Sequence, residues 1–271
     1  MGNSVSEYYG NEVMREWERH EKHPVEFAIT MRYIKKYTKS GDKVLDIGGG
    51  PGRYSTWLAQ MGCDVTLFDL TQGNIDFAKQ KSKELGLNIN AICGNALDVD
   101  EILKDSENKF DVVLLMGPLY HLSDEKDRIR SVNNALKLLK PNGILFAAFI
   151  SSYAVVWDFL VGNPESILDK NDTRENKMFY DMFVNDENFS GFGFAENHFI
   201  RPKDVEPFMA QFPLEKLHIV AGESFLTTRE QELMRQPPEV FQAWLDLAEK
   251  VCEREDILSM SMHFLYAGKK I

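Results

Sequence analysis

Asp46-Ile47-Gly48-Gly49-Gly50-Pro51-Gly52-Arg53 decides the fold of this chain. An apolar β-rich run, Lys43-Val44-Leu45-Asp46-Ile47, leads into it, and a helical segment from Arg53 to Met61 follows. Glycine lets the chain turn sharply there and lets a ligand approach the backbone. The first N–H groups of the helix have no partner within the helix, so the turn presents donors at its mouth. The dinucleotide fingerprint requires glycine at the first, third and sixth places. Counted from Gly48, the sixth place holds Arg53, so the turn departs from that fingerprint.

Further apolar runs follow the turn: Asp64-Val65-Thr66-Leu67-Phe68, Ile89-Asn90-Ala91-Ile92-Cys93, Asp111 through Met116, and Ile144 through Ile150. Runs of this length suit strands buried on both faces. Helical segments lie between them. From Asp124 to Lys140, Ile129, Val132, Leu136 and Leu139 form one apolar stripe, and Pro141-Asn142-Gly143 is expected to stop that helix. The alternation predicts an α/β, doubly wound, mostly parallel sheet with helices on both faces. Asp69, about 20 residues past the glycine turn and at the end of the second strand, stands where such folds accept hydrogen bonds from a ribose. The plainer alternative is a glycine-rich turn with a solvated aspartate.

Two helices are predicted before this core, over Asn11 to Lys22 and from Pro24 with Phe27, Met31 and Ile34 on one face. After it, 151–200 is rich in aromatic residues, and Asn188 to Phe194 alternates rings with small residues. A short helix from Pro202, a strand over Leu214 to Ala221, a helix over Pro238 to Glu253 and a strand over Ser259 to Gly268 complete the reading. The boundaries drawn are 1–40 for helices over the site, 41–151 for the binding core, 152–200 for a lid and 201–271 for completion of the sheet.

The 271 residues carry 31 basic and 42 acidic side chains, a net charge of −11. That field disfavours nucleic acid and anionic membranes as partners. Three well-separated cysteines, Cys63, Cys93 and Cys252, cannot form a fully paired disulfide set, and a cytoplasmic location is expected. The start Met1-Gly2-Asn3-Ser4-Val5-Ser6 fits the loose acylation pattern, read here as coincidence.

Taken together, Asp46 to Gly52, Phe68-Asp69-Leu70, the Phe110 to Leu122 segment with Gly117-Pro118-Leu119-Tyr120-His121-Leu122, and Leu139 to Leu145 resemble the motifs of class I S-adenosylmethionine-dependent methyltransferases, in a version found among bacterial small-molecule members. The resemblance covers 8–150 best. It implies a Rossmann-like, seven-stranded sheet and S-adenosylmethionine as cofactor, with no metal. It also implies residue roles. Gly48, Gly49, Gly50 and Gly52 would let the backbone pass the methionine part, and Asp46 would orient that loop and serve the ammonium group. Asp69 would hold the ribose, Leu70 would lie on the adenine, and Asn95 with Ala96 would meet its edge. Met116 and Gly117 would pass near the sulfonium, and Tyr9 would fold over the cofactor.

A methyl sulfonium is already electrophilic, so the protein mainly aligns it with a nucleophile, and a base is needed only where the nucleophile must lose a proton. His121 and Tyr120, directly after the fourth strand, are the candidate catalytic residues: His121 as a base, Tyr120 as a pocket wall or hydrogen-bond partner. Helix capping and packing are the alternatives. His20, His23, His198, His218 and His263 show no metal-ligand spacing. The function expected is methyl transfer to O, N or S of a small molecule, by a monomer or homodimer. The alternatives are an NAD(P)-dependent oxidoreductase and a non-catalytic binding protein.

Overall fold

The computed structural model describes residues 12–169, 174–192 and 195–271. Tyr8, Tyr9 and the possible acylation site lie outside them. α1 (Val13–Lys22) and α2 (Pro24–Tyr37) come first. Pro24 opens α2, where a missing N–H costs nothing. The fully buried stripe of α2 is Val25, Ile29, Tyr33 and Ile34, while Phe27 and Met31 are only partly covered.

The core then alternates as expected: β1 (Lys43–Ile47), α3 (Arg53–Gln60), β2 (Asp64–Asp69), α4 (Gln72–Glu84), β3 (Ile89–Cys93), β4 (Phe110–Leu115), α5 (Glu125–Leu138) and β5 (Leu139–Ser151). β1 pairs in parallel with β2 and β4, β2 with β3, and β4 with β5. The order β3-β2-β1-β4-β5 reverses direction between β1 and β4, and ligands bind at such a switch point. α5 ends at Leu138, earlier than the Pro-Asn-Gly signal suggested. Lys140 precedes Pro141, a place that disfavours helix, and Leu139 is already extended. Pairing resumes at Val112 with Ile144, so the Pro141-Asn142-Gly143 turn is an excursion within β5.

α6 (Ala154–Gly162) and α7 (Arg174–Asn185) lead to a hairpin of β6 (Phe189–Phe192) and β7 (Glu196–Ile200). β7 pairs with Ile150 and Ser151, beyond the reach of β4. The hairpin therefore stands over the carboxyl end of β4. Phe179, Phe189 and Phe199 pack together there with Ile150 and Met182 in a satellite core, so part of the aromatic richness is packing. Residues 193 and 194 of the alternating segment lie outside the described residues.

α8 (Pro202–Met209), β8 (Leu214–Ala221), α9 (Pro238–Val251) and β9 (His263–Lys270) follow. β9 inserts antiparallel between β5 and β8. The expected seven-stranded sheet is the path β3-β2-β1-β4-β5-β9-β8, and the β6–β7 hairpin brings the sheet to nine strands. The last strand starts at His263, four residues later than expected, because Ser261 and Met262 are held in a turn by Glu223. No helix among the described residues is long and apolar enough to cross a membrane.

Candidate functional site

The carboxyl ends of β1, β2 and β4 meet at one cleft. Gly48 N–H donates to Phe68 O at 2.7 Å and Met116 N–H to Ile47 O at 3.3 Å, which ties the three strand ends together. Gly48 has φ +73, and a Cβ there would lie 2.6 Å from Pro118 Cδ, so only glycine fits this crossing. Gly50 has φ +56 and no atom within 4 Å of its would-be Cβ. Its open side belongs to the cleft.

Asp69 is 7% exposed and organises the turn. Its Oδ2 accepts from Gly50 N at 2.9 Å, and its Oδ1 from Thr71 N at 2.9 Å and Asn74 Nδ2 at 3.0 Å. Burial pushes its pKa up, while these donors hold it down. A carboxylate offers about four acceptor sites, so one stays available to the cleft.

Asp46 lies fully buried behind the turn rather than on the cleft surface. Its Oδ2 accepts from Ser55 Oγ at 2.7 Å, while Oδ1 has no hydrogen-bond partner among the described residues. Burial first, and then the charge of Asp69, raise its pKa to about 7, against the pull of Ser55. An unpartnered buried carboxylate oxygen beneath a glycine turn suits a cationic donor or a water that relays one. The residues thus fit a nucleoside that carries an ammonium group: a carboxylate under the turn and another beside it for a ribose.

Gly48, Gly49, Gly50, Asp69, Leu70, Asn95, Ala96, Met116, Gly117, Tyr120 and His121 all line this cleft. Gly52 caps α3 with φ +86 and stands outside the lining, as Asp46 does. Tyr9 lies outside the described residues. Asn95 Oδ1 already accepts from Leu97 N at 2.9 Å, so it caps a local turn and keeps one lone pair for a ligand.

Tyr120 OH donates to Met116 O at 2.6 Å, and burial pushes its pKa up. His121 Nδ1 lies 3.0 Å from the Glu196 carbonyl, which can only accept, so this nitrogen carries the proton. Burial lowers the imidazole pKa to about 4, which keeps it neutral at pH 7 and makes it a weak base. Ser123 Oγ bonds the Glu196 carboxylate, so the hairpin closes this wall twice.

Sequence reasoning missed several wall residues. Glu16 and Arg19 of α1 line the cleft. Arg19 donates to Glu26 Oε2 at 3.0 Å and lies 3.7 Å from Glu16 Oε2. The three-residue spacing of Glu16 and Arg19 was the available signal. Arg53 pairs with Glu21 at 3.0 Å and stacks on Trp17 at 4.7 Å, which fastens α1 over the glycine turn. Glu196 had no local signal.

A second cavity of about 660 Å³ opens on the other side of Glu16, Arg19 and Tyr120, which border both spaces. Glu26, Glu223 and His263 meet in it, with possible ligand atoms within 4.8 Å of one another. This grouping was not foreseen. His23, His198 and His218 instead pair with Glu230, Ser190 and Tyr37, respectively. The His20 side chain lies outside the described residues.

Residues 44–143 match the family model for a methyltransferase domain. Among curated proteins, a ubiquinone biosynthesis O-methyltransferase of Coxiella burnetii is 36% identical over 124 residues, which is 45% of this chain and 50% of that protein. The protein of the same name from Histophilus somni is 33% identical over 153 residues, 55% of this chain and 61% of its own length. The chain therefore spans only about half to three-fifths of these relatives. Among solved structures, an S-adenosylmethionine-dependent methyltransferase from Clostridium acetobutylicum superposes with a TM-score of 0.58 at 13% identity, covering 96% of this chain and 98% of that one. The [4+2]-cyclase SpnF superposes with a TM-score of 0.56 at 17% identity, covering 90% and 81%. These two likenesses establish the fold, which hosts more than one chemistry.

Proposed function

We propose, from the premise that residues 44–143 are a methyltransferase domain of the class I S-adenosylmethionine-dependent family, that this chain moves a methyl group onto a small-molecule acceptor. One observation carries the reading. The strand ends place a glycine turn, the unpartnered Asp46 Oδ1 behind it and the Asp69 carboxylate beside it around one cleft. The bound cofactor supplies an electrophilic methyl. The protein's own residues do the rest. Asp46 compensates a positive charge behind the turn, and Gly48, Gly49 and Gly50 bring the backbone close. Asp69 accepts from ribose hydroxyls, Leu70 covers the base, and Asn95 and Ala96 meet its edge. Met116, Gly117 and the Tyr120 hydroxyl fix the floor where the methyl leaves.

The O-methyltransferase names of the relatives support oxygen as the atom methylated. The acidic balance supports a small molecule over nucleic acid, and three free cysteines support a reducing compartment such as the cytoplasm. Arg53 at the sixth place of the glycine turn argues against a nicotinamide cofactor.

Isothermal calorimetry with S-adenosylhomocysteine and with NADH tests the proposal. Binding of the sulfur nucleoside alone is expected. Binding of NADH alone would return the chain to the oxidoreductases.

A further inference from the structure

We infer that the second cavity is the acceptor chamber, and that His263, held by Glu223, is the general base that takes the proton from a phenolic hydroxyl there. This rests on the methyl-transfer reading above.

The placement comes from strand register. Leu115, the last residue of β4, is level with Ala147 of β5, and His263 of β9 is level with Ile150. Three residues farther along a strand is about 10 Å. His263 therefore stands beyond the carboxyl edge of the sheet, on the side where the glycine turn opens. Arg19, Glu16 and Tyr120 border both spaces, so the two adjoin there, and Tyr120 is anchored to Met116 at the floor of the first. A volume of about 660 Å³ is within the range of small-ligand pockets.

The chemistry comes from hydrogen bonding. Glu223 Oε2 accepts from Ser261 Oγ at 2.5 Å, Met262 N at 3.0 Å and His263 N at 3.0 Å, so the carboxylate is clamped to the turn before β9. Its Oε1 lies 2.5 Å from His263 Nδ1. A carboxylate orienting one ring nitrogen leaves the other as the proton acceptor, the logic of a base fixed by a third group. His263 Nε2 has no hydrogen-bond partner among the described residues, and the 21% exposed side chain lines the cavity. Burial alone would depress this imidazole, but Glu26 and Glu223 outweigh it and raise its pKa, with Arg19 opposing. The charged groups that act on it are Glu26 and Arg19 from the amino-terminal helices and Glu223 from the turn after β8; Glu16, Tyr120, Asp158 and Glu230 are among the other titratable groups lining the cavity.

A metal is the competing occupant of Glu26, Glu223 and His263. It would have to displace the Nδ1 proton that binds Glu223, and it would face the Arg19 guanidinium, 3.0 Å from Glu26. The proton-acceptor reading keeps every observed bond. Thiolates and neutral amines need no base before attack, whereas a hydroxyl does, so the dyad selects an O–H acceptor. Ile150, Trp157 and Met262 supply apolar walls for an aromatic body, and Trp157 Nε1 is a buried donor with no acceptor among the described residues. In the step, the hydroxyl proton passes to His263 Nε2 and the oxygen lone pair forms the new C–O bond. The C–S bonding pair returns to sulfur, which becomes a neutral thioether, and the imidazolium is held by Glu223 and Glu26.

His263→Asn is the test, because the amide can still donate to Glu223. Calorimetry should give the wild type and His263→Asn S-adenosylhomocysteine affinities within about threefold, less than 1 kcal/mol. Ring-labelled His263, followed by NMR, should titrate above the ordinary histidine range, and catechol added to the full chain should shift its resonance. With labelled S-adenosylmethionine and a panel of phenols, anilines and thiols, the wild type should methylate phenols. Its kcat/KM should rise with pH through the His263 transition. His263→Asn should lower that kcat/KM at least about 100-fold and flatten the profile, since general bases contribute about 10²–10⁴. Glu223→Gln should act in the same direction if it folds; if it does not, His263→Asn decides alone. Unchanged phenol methylation by His263→Asn, a catechol-insensitive His263 resonance, transfer confined to anilines or thiols, or activity lost to a chelator and restored by a metal would each overturn the inference. Failure of the wild type to bind S-adenosylhomocysteine would instead overturn the reading beneath it.

Discussion

The two sides of the reaction space are built in opposite ways. The cofactor-side cleft draws nearly all of its lining from one continuous stretch, 48 to 123, in which each strand hands its carboxyl end to the next turn. The opposite wall joins Arg19, Glu26, Glu223 and His263, which come from the two ends of the chain. The first is a local device repeated along a parallel sheet. The second exists only once β9 has been inserted beside β5. The cleft can therefore serve many acceptors unchanged, while the far wall is free to define one.

The comparison breaks first at the glycine crossing. Gly48→Ala adds a Cβ at 2.6 Å from Pro118 Cδ, in a backbone conformation with φ +73. Left-handed backbone costs roughly 1–2 kcal/mol and overpacking about 1–3. A loss of about 2–5 kcal/mol is expected in urea denaturation, with cofactor binding lost as well. A variant as stable as the wild type would mean that the strand ends are not locked as described.

Asp69→Ala should come next. It removes the acceptor of Gly50 N and Thr71 N together with the site offered to a ribose. Charge-assisted bonds of this kind are worth about 1.5–3 kcal/mol, so S-adenosylhomocysteine affinity should fall about 10- to 150-fold by calorimetry. His263→Asn, on the other wall, should leave that affinity in place. Equal losses from the two would mean that both walls hold the cofactor.

The same contrast decides what the sequence discloses. The turn from Asp46 to Gly52 and the acid at 69 can be read because their spacing is local and the strands beside them are continuous apolar runs. Eleven of the fourteen residues singled out beforehand line the cleft: Asp46 and Gly52 stand behind it, and Tyr9 is outside the described residues. Nothing local marks His263 or Glu223. His263 sits within an alternating run, Ser259 to Gly268, that reads as an ordinary strand, and Glu223 sits in a short Gly-Glu-Ser turn. Their meeting depends on register between distant strands. The β6–β7 hairpin was hidden for a related reason: Asn188 to Phe194 reads as rings alternating with small residues, and its partner strand becomes visible only in the pairing of Phe189 with Phe199.

pH separates the two walls more gently. Asp46 is raised to about 7 by burial, above its unfolded value of 3.8. The folded state therefore holds this proton more tightly than the unfolded chain. The resulting stabilisation is present below about pH 4 and is lost as pH rises toward about 7, the reverse of a salt-bridged aspartate. A cation bound near Oδ1 favours the ionised form. S-adenosylhomocysteine affinity should therefore rise with pH, by at most about tenfold per unit, and level off above about pH 7. Calorimetry in buffers of different ionisation enthalpy should also show proton release near pH 6–7. A pH-independent affinity would remove Asp46 from contact with the ligand's charge.

His121 gives the smallest effect and the sharpest contrast between two histidines. Its Nδ1 proton is committed to the Glu196 carbonyl, as that of His263 is to a carboxylate. The partner decides the outcome. A carbonyl gives an imidazolium little support, and burial takes His121 down to about 4. Two carboxylates raise His263 instead. A base with a pKa near 4 facing a phenol near 10 is mismatched by about six units, so proton transfer to it is steeply uphill. His121→Asn preserves a donor for Glu196 and should lower kcat less than about tenfold, with the pH profile unchanged. A loss comparable to that of His263→Asn, with the alkaline rise abolished, would move the base to His121 and leave His263 as a strut for the turn before β9.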